Sequence, residues 1–101
     1  MIEISLIQHP NQTFPVILEG ERYDLTLKDC GNFMVIDIVR DDIVIIQGQR
    51  LLPYTPLIPY KYLANGNLIF ATENNELPDW SKFGVTQQLF YLTSEEWLSI
   101  S

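Results

Sequence analysis

Hydrophobic and polar positions alternate with a period of two along much of the chain, which is the signature of half-buried β-strands. Ile2, Ile4 and Leu6 alternate with Glu3 and Ser5. His9-Pro10-Asn11-Gln12 breaks that run, and Thr13–Leu18 reads as a second short strand. Its Pro15 cannot donate to a ladder, so an edge position or a strand start is expected. Glu19-Gly20-Glu21 is a tight turn. In the next run Tyr23, Leu25 and Leu27 alternate with Arg22, Asp24, Thr26 and Lys28, giving a strand with one wet face.

The stretch from Glu21 to Leu52 is the frame of the chain. Three β-like runs follow one another, joined by turns at Asp29-Cys30-Gly31-Asn32 and Asp41-Asp42, and predict an antiparallel meander. In the second run Met34, Ile36 and Ile38 share one side. Phe33, Val35 and Val39 share the other with Asp37, the most awkward polar residue of the sheet. The third run, Ile43–Ile46, is apolar on both faces. That suits a strand covered on both sides, with another subunit a candidate cover for one of them.

The second half changes character. Pro53, Pro56 and Pro59 recur every third residue, interleaved with Tyr54, Leu57, Ile58, Tyr60 and Tyr62. The spacing suits extended, polyproline-like backbone, and the anchors make it an apolar strap rather than a flexible linker. One helical turn is expected at Tyr60–Leu63, a turn at Asn65-Gly66-Asn67 and a strand at Leu68–Thr72. Glu73–Phe83 is the most polar loop, with Trp80 and Phe83 expected to pin it. Val85–Leu92 returns to strand character. Thr93 with Glu96 matches a capping box and Leu92 with Trp97 a hydrophobic staple, so a short helix closes the chain. The pattern predicts an all-β domain over residues 1–101, a small antiparallel sandwich or partly open barrel of about seven strands with a short C-terminal helix.

Composition narrows the function classes. The 101 residues carry a net charge of −7, with 13 acidic against 6 basic residues. Phosphate binding needs a clustered basic face, so a direct nucleic-acid partner is not expected, nor an anionic membrane surface. A basic protein partner fits. The single cysteine, Cys30, excludes an intramolecular disulfide and suggests a reducing compartment. No secretory signal pattern and no apolar run of spanning length are present, so no membrane anchor is expected.

No motif specifies chemistry. His9 is the only histidine and lacks co-ligands at metal-site spacing, so a surface turn histidine is expected. Cys30 has Lys28 nearby, but Asp29 offsets it, so a structural rather than a reactive cysteine is expected. Glu73, Glu76 and Asp79 lack the spacing of a calcium loop and read as a solvated loop. No nucleophile elbow and no phosphate-binding glycine loop occur. No cofactor is expected. The aromatic residues stand out instead, because Tyr and Trp are enriched at interface hot spots. The candidate contact residues are Tyr54, Tyr60, Tyr62, Trp80 and Trp97.

The whole chain also resembles the phage baseplate plug family. The opening Met-Ile-Glu-Ile-Ser-Leu with Asn11-Gln12-Thr13-Phe14 resembles the family's start. Leu18-Glu19-Gly20-Glu21-Arg22-Tyr23-Asp24-Leu25 resembles its L-x-G-x-x-Y-x-L hairpin. Phe33–Arg40 looks like its strand with Asp37-Ile38 kept. Leu57–Leu63 is similar to its Pro-Tyr segment, and Leu89-Phe90-Tyr91-Leu92-Thr93 to its close. The chain departs from the family at Gln49–Pro56, where the glycine-led segment before the Pro-Tyr motif is missing. The resemblance implies no catalytic residues. It implies a structural, non-enzymatic part of the virion tail baseplate of a contractile-tailed phage, assembled in the host cytoplasm and bound to the tail hub, other baseplate proteins and its own copies. The alternative is a small-ligand-binding or enzymatic β-barrel with a polar mouth near Asp37, Asp79 and His9.

Overall fold

A computed structural model describes residues 1–58 and 66–100. Among these residues seven strands form two antiparallel sheets: β1 (Ile2–Ile4), β2 (Asn11–Leu18), β3 (Glu21–Asp29), β4 (Met34–Arg40), β5 (Ile43–Arg50), β6 (Asn67–Thr72) and β7 (Gln87–Leu92). A short helix, α1 (Ser94–Ile100), follows β7. One sheet has the order β2-β3-β4-β5 and the other β1-β7-β6. They are two open layers rather than a closed barrel.

The four-stranded sheet is the meander anticipated from the alternation. Both of its two-residue hairpin turns, Glu19-Gly20 and Asp41-Asp42, have positive φ at each central residue, as type I′ turns require. Pro15 lies on β2, an edge strand, where its missing N–H leaves no gap in the ladder. The inward sides of β3 and β4, Tyr23, Leu25, Leu27, Met34, Ile36 and Ile38, are all buried. They join Leu68 and Phe70 of β6 and Leu89 and Tyr91 of β7 in one core. Each such side chain contributes roughly 1.5–3 kcal/mol of transfer free energy. Tyr23 and Tyr91, one from each sheet, meet edge to face with centroids 5.8 Å apart.

Within the single chain the third run is not covered on both faces. Ile43 and Val44 are 65% and 61% exposed, while Ile45 is buried. Two register irregularities explain this. β5 carries extra residues between Ile46 and Gln49 and again between Val44 and Ile46, relative to β4. A bulge turns successive side chains to the same face, so a continuous apolar run need not mean two covered faces. Asp37 belongs to the same device. Its Oδ1 accepts from the backbone amide of Gly48 (2.7 Å), where φ is +68°, and its Oδ2 lies 3.2 Å from Lys28 Nζ. The awkward carboxylate therefore satisfies the bulge.

The strap packs as an anchored crossover. Leu51, Leu57 and Ile58 are buried, and Pro53 bridges Phe70 of β6. The side chain of the fully buried Asn67 donates to the Ile58 carbonyl and accepts from its amide, both at 2.9 Å, as a neighbouring strand would. Gly66 is a close approach. A Cβ there would run into the Leu92 carbonyl oxygen and the Tyr91 hydroxyl. The helical turn expected at Tyr60–Leu63 lies outside the described residues. The capping box at α1 is formed: Thr93 N donates to Glu96 Oε1 (3.0 Å), and Glu96 N donates to Thr93 Oγ1 (3.3 Å).

The two sheets are also latched at one end. The Glu19 carboxylate, in the β2–β3 turn, accepts from the Tyr91 hydroxyl (2.8 Å), the Ser94 amide (2.7 Å) and the Ser94 hydroxyl (2.9 Å). These bonds, Tyr91 first, hold the Glu19 carboxyl below its ordinary range. Burial, then the bond to Glu19, pushes the Tyr91 phenol far above its own.

Candidate functional site

Among the described residues a cleft of about 420 Å³ lies between the β3–β4 turn and the loop that follows β6. Asp29 and Phe33 stand on one side, and Glu76, Leu77, Asp79 and Trp80 on the other. The buried side chain of Met34 also lines it.

Both walls are fixed by local hydrogen bonds. In the turn, Asp29 Oδ1 accepts from the amide of Gly31 (3.0 Å), an Asx turn, and the Cys30 amide donates to the Phe33 carbonyl (2.8 Å). Gly31 has φ +93°. Cys30 is exposed, so the turn uses its backbone and not a packed thiol. That corrects the expectation of a structural cysteine. The Phe33 ring carries the Arg50 guanidinium 5.1 Å from its centroid.

The opposite wall is a loop with two short 3-10 turns, Glu73–Asn75 and Trp80–Lys82. Asp79 caps the second: its Oδ1 accepts from Ser81 N (3.0 Å) and Ser81 Oγ (2.9 Å). Glu76 accepts from Thr86 Oγ1 (2.7 Å) and Lys82 Nζ (2.9 Å). The Thr86 bond, then Lys82, holds the Glu76 carboxyl low, and Glu76 holds the Lys82 ammonium high. Gln87 spans the wall from behind. Its Oε1 accepts from the Asp79 amide (2.8 Å) and its Nε2 donates to the Leu77 carbonyl (2.9 Å). Phe83 is buried edge to face on Phe70 at 5.6 Å, and Trp80 packs against the core, so the two aromatics pin the loop as anticipated.

The structure distributes the anticipated contact residues unevenly. Trp80 lines the cleft. Tyr54 is 56% exposed, and its hydroxyl donates to the Thr72 carbonyl (2.8 Å). Trp97 is half-buried on α1. Tyr60 and Tyr62 lie outside the described residues. The polar mouth imagined near Asp37, Asp79 and His9 is not assembled, because of the three only Asp79 lines the cleft. Asp37 serves the β5 bulge, and His9 Nδ1 lies 2.6 Å from the Asn11 carbonyl oxygen. Among the described residues no group of three or more His, Cys, Asp and Glu side chains is arranged to hold a metal ion. Within that set no helix is long and apolar enough to cross a membrane.

Sequence reasoning missed Gln87 as the bracket of the wall and Asp29 as its facing carboxylate. The Asp-x-Ser spacing of Asp79 and Ser81 was a legible capping signal. Nothing in the sequence marks Gln87. Comparison with known families gives a match over residues 1–95, to the family described as cyanophage baseplate Pam3 plug gp18. No curated protein sequence matches the chain.

Proposed function

The chain belongs to the cyanophage baseplate Pam3 plug gp18 family, and from that membership we propose that it holds the centre of the baseplate together by binding the tail hub and spike region and its own copies. That it is a structural protein of the phage tail baseplate follows from the family itself. The finer reading has it acting as one domain over residues 1–101, without enzymatic activity, after assembly in the host cytoplasm. Its contact surface is built on Tyr54, Tyr60, Tyr62, Trp80 and Trp97.

The observation that carries the reading is the length of the match, which runs through both sheets to α1. The structure adds support. The cleft walls are braced by their own hydrogen bonds, and a preformed surface loses little entropy on assembly. Closed rings of copies use heterologous contacts, so the surface that meets a neighbour differs from the surface that receives one. The test is the mass of the purified chain in solution, alone and mixed with the tail-hub protein of the same phage. A defined complex or closed oligomer is expected. A strict monomer that ignores the hub would overturn the proposal.

A further inference from the structure

We propose that the Trp80 cleft docks a segment of a different baseplate protein that presents an arginine or lysine beside an apolar side chain. This rests on the reading of the chain as an assembly part and names the chemistry of one of its contacts.

Charge placement comes first. Asp29 and Asp79 both line the cleft, and each uses only Oδ1 in the hydrogen bonds that shape its own turn. Among the described residues neither makes an ion pair with a cation. The cleft is therefore lined by two carboxylates whose Oδ2 atoms are not used in those bonds, beside Glu76 and Lys82, which pair with each other. A guanidinium or ammonium seated between them would gain charge-assisted bonds, stronger than neutral ones.

The apolar wall supplies the rest. Trp80, Leu77 and Pro78 line the same side of the cleft, and Leu77 is 63% exposed. Phe33 faces them, 39% exposed, with Arg50 already over its ring. Trp is the best aromatic partner for a guanidinium, and Trp80 lines the cleft. The volume, about 420 Å³, lies within the usual range of roughly 300–1,000 Å³ for sites of small ligands and is ample for two or three side chains.

Among its described residues a second copy of this chain offers no unengaged cation. Six residues are Lys or Arg, and five of them are engaged within the fold. Arg22 pairs with Asp24, Lys28 with Asp37, Arg40 with Glu21 and Lys82 with Glu76, while Arg50 covers Phe33. The sixth, Lys61, lies outside the described residues. A chain of net charge −7 whose described cations are all engaged within the fold calls for a basic partner. Nucleic acid is excluded by the same charge.

The experiment is an amide NMR titration of the intact chain with the peptide acetyl-Leu-Arg-Phe-amide, against acetyl-Leu-Gln-Phe-amide. The arginine peptide should shift signals confined to residues 29–34 and 76–82, and the glutamine peptide should bind at least about five-fold more weakly. Raising the salt should weaken the arginine peptide selectively, because partly exposed charges are screened within roughly 8–10 Å. The pair Asp29→Asn and Asp79→Asn keeps both turn bonds, since Asn caps as well as Asp, and removes only the charge. It should abolish the preference for arginine, and Leu77→Ser, at an exposed position, should weaken both peptides. Equal shifts with the two peptides, or shifts spread away from the cleft, would overturn the proposal. So would unchanged hub binding by the Asn pair, which would leave the assembly reading intact. A chain that seats the arginine peptide in the cleft but ignores the hub supports the inference and counts against the assembly reading.

Discussion

Removing the Glu19 carboxylate tests how the two sheets are held in register. Glu19 sits in the β2–β3 turn of one sheet, and its partners, Tyr91 and Ser94, belong to the other sheet and to α1. Glu19→Ala leaves the buried Tyr91 hydroxyl without its acceptor. A hydrogen bond to a charged group contributes about 1.5–3 kcal/mol, and water around the exposed carboxylate holds the net value to the lower part of that range. The two Ser94 bonds act at the first turn of α1, where a cap contributes about 1 kcal/mol. The expected total is about 2–3 kcal/mol, a fall in Tm of roughly 10–20 °C for a domain of this size. Glu19→Gln keeps an acceptor oxygen without the charge and should lose about half as much. Urea unfolding of Glu19→Ala, Tyr91→Phe and the double variant reads the coupling directly. The double variant should fall short of the summed losses by about 1 kcal/mol. Strict additivity, or a loss below about 0.5 kcal/mol in Glu19→Ala, would refute the latch.

Other perturbations probe other parts of the fold. Asp37→Ala should cost about 1–2 kcal/mol in urea unfolding, because the Gly48 amide loses its acceptor, whereas Asp37→Asn should cost under about 0.5 kcal/mol, since only the exposed Lys28 pair is lost. Gly66→Ala should lose at least roughly 1–3 kcal/mol by overpacking against Leu92 and Tyr91, measured as Tm by calorimetry. The Glu19 and Glu76 carboxyls are both lowered in the fold. Their stabilisation is therefore fully present above the ordinary carboxyl value of about 4.5 and is lost as the pH falls through the lowered folded values. Tm should drop as the pH falls below about 4.5, and Glu19→Gln should flatten that drop; an unchanged pH profile would contradict the assignment.

How much of this was legible in the sequence differs from element to element. The meander was readable because period-two alternation and two-residue turns are local signals, and Tyr23, Leu25 and Leu27 do face the core. The capping box at Thr93 and Glu96 was readable for the same reason. The Ile43–Ile46 run misled, because a bulge breaks the rule that links alternation to burial, and the bulge depends on Asp37 reaching an amide eleven residues away. Asp37 looked like a misplaced polar residue while its partner was out of view. The cleft was hidden more completely. Its walls come from residues 29–34 and 76–82, and the bracket at Gln87 is a long-range hydrogen-bond arrangement with no local pattern. Trp80 was singled out for its residue type, and the fold supplied Asp29 on the opposite wall and Asp79 beside it.

The central claim is that this domain is a baseplate part whose braced cleft receives a basic neighbour. The most direct measurement is a density map of the isolated tail tip at side-chain resolution. The account predicts the two-sheet domain in the central baseplate, with an arginine or lysine of a different chain between Asp29 and Asp79 and an apolar side chain against Trp80. A tail tip that lacks the domain, or one in which the cleft faces open solvent, would contradict it.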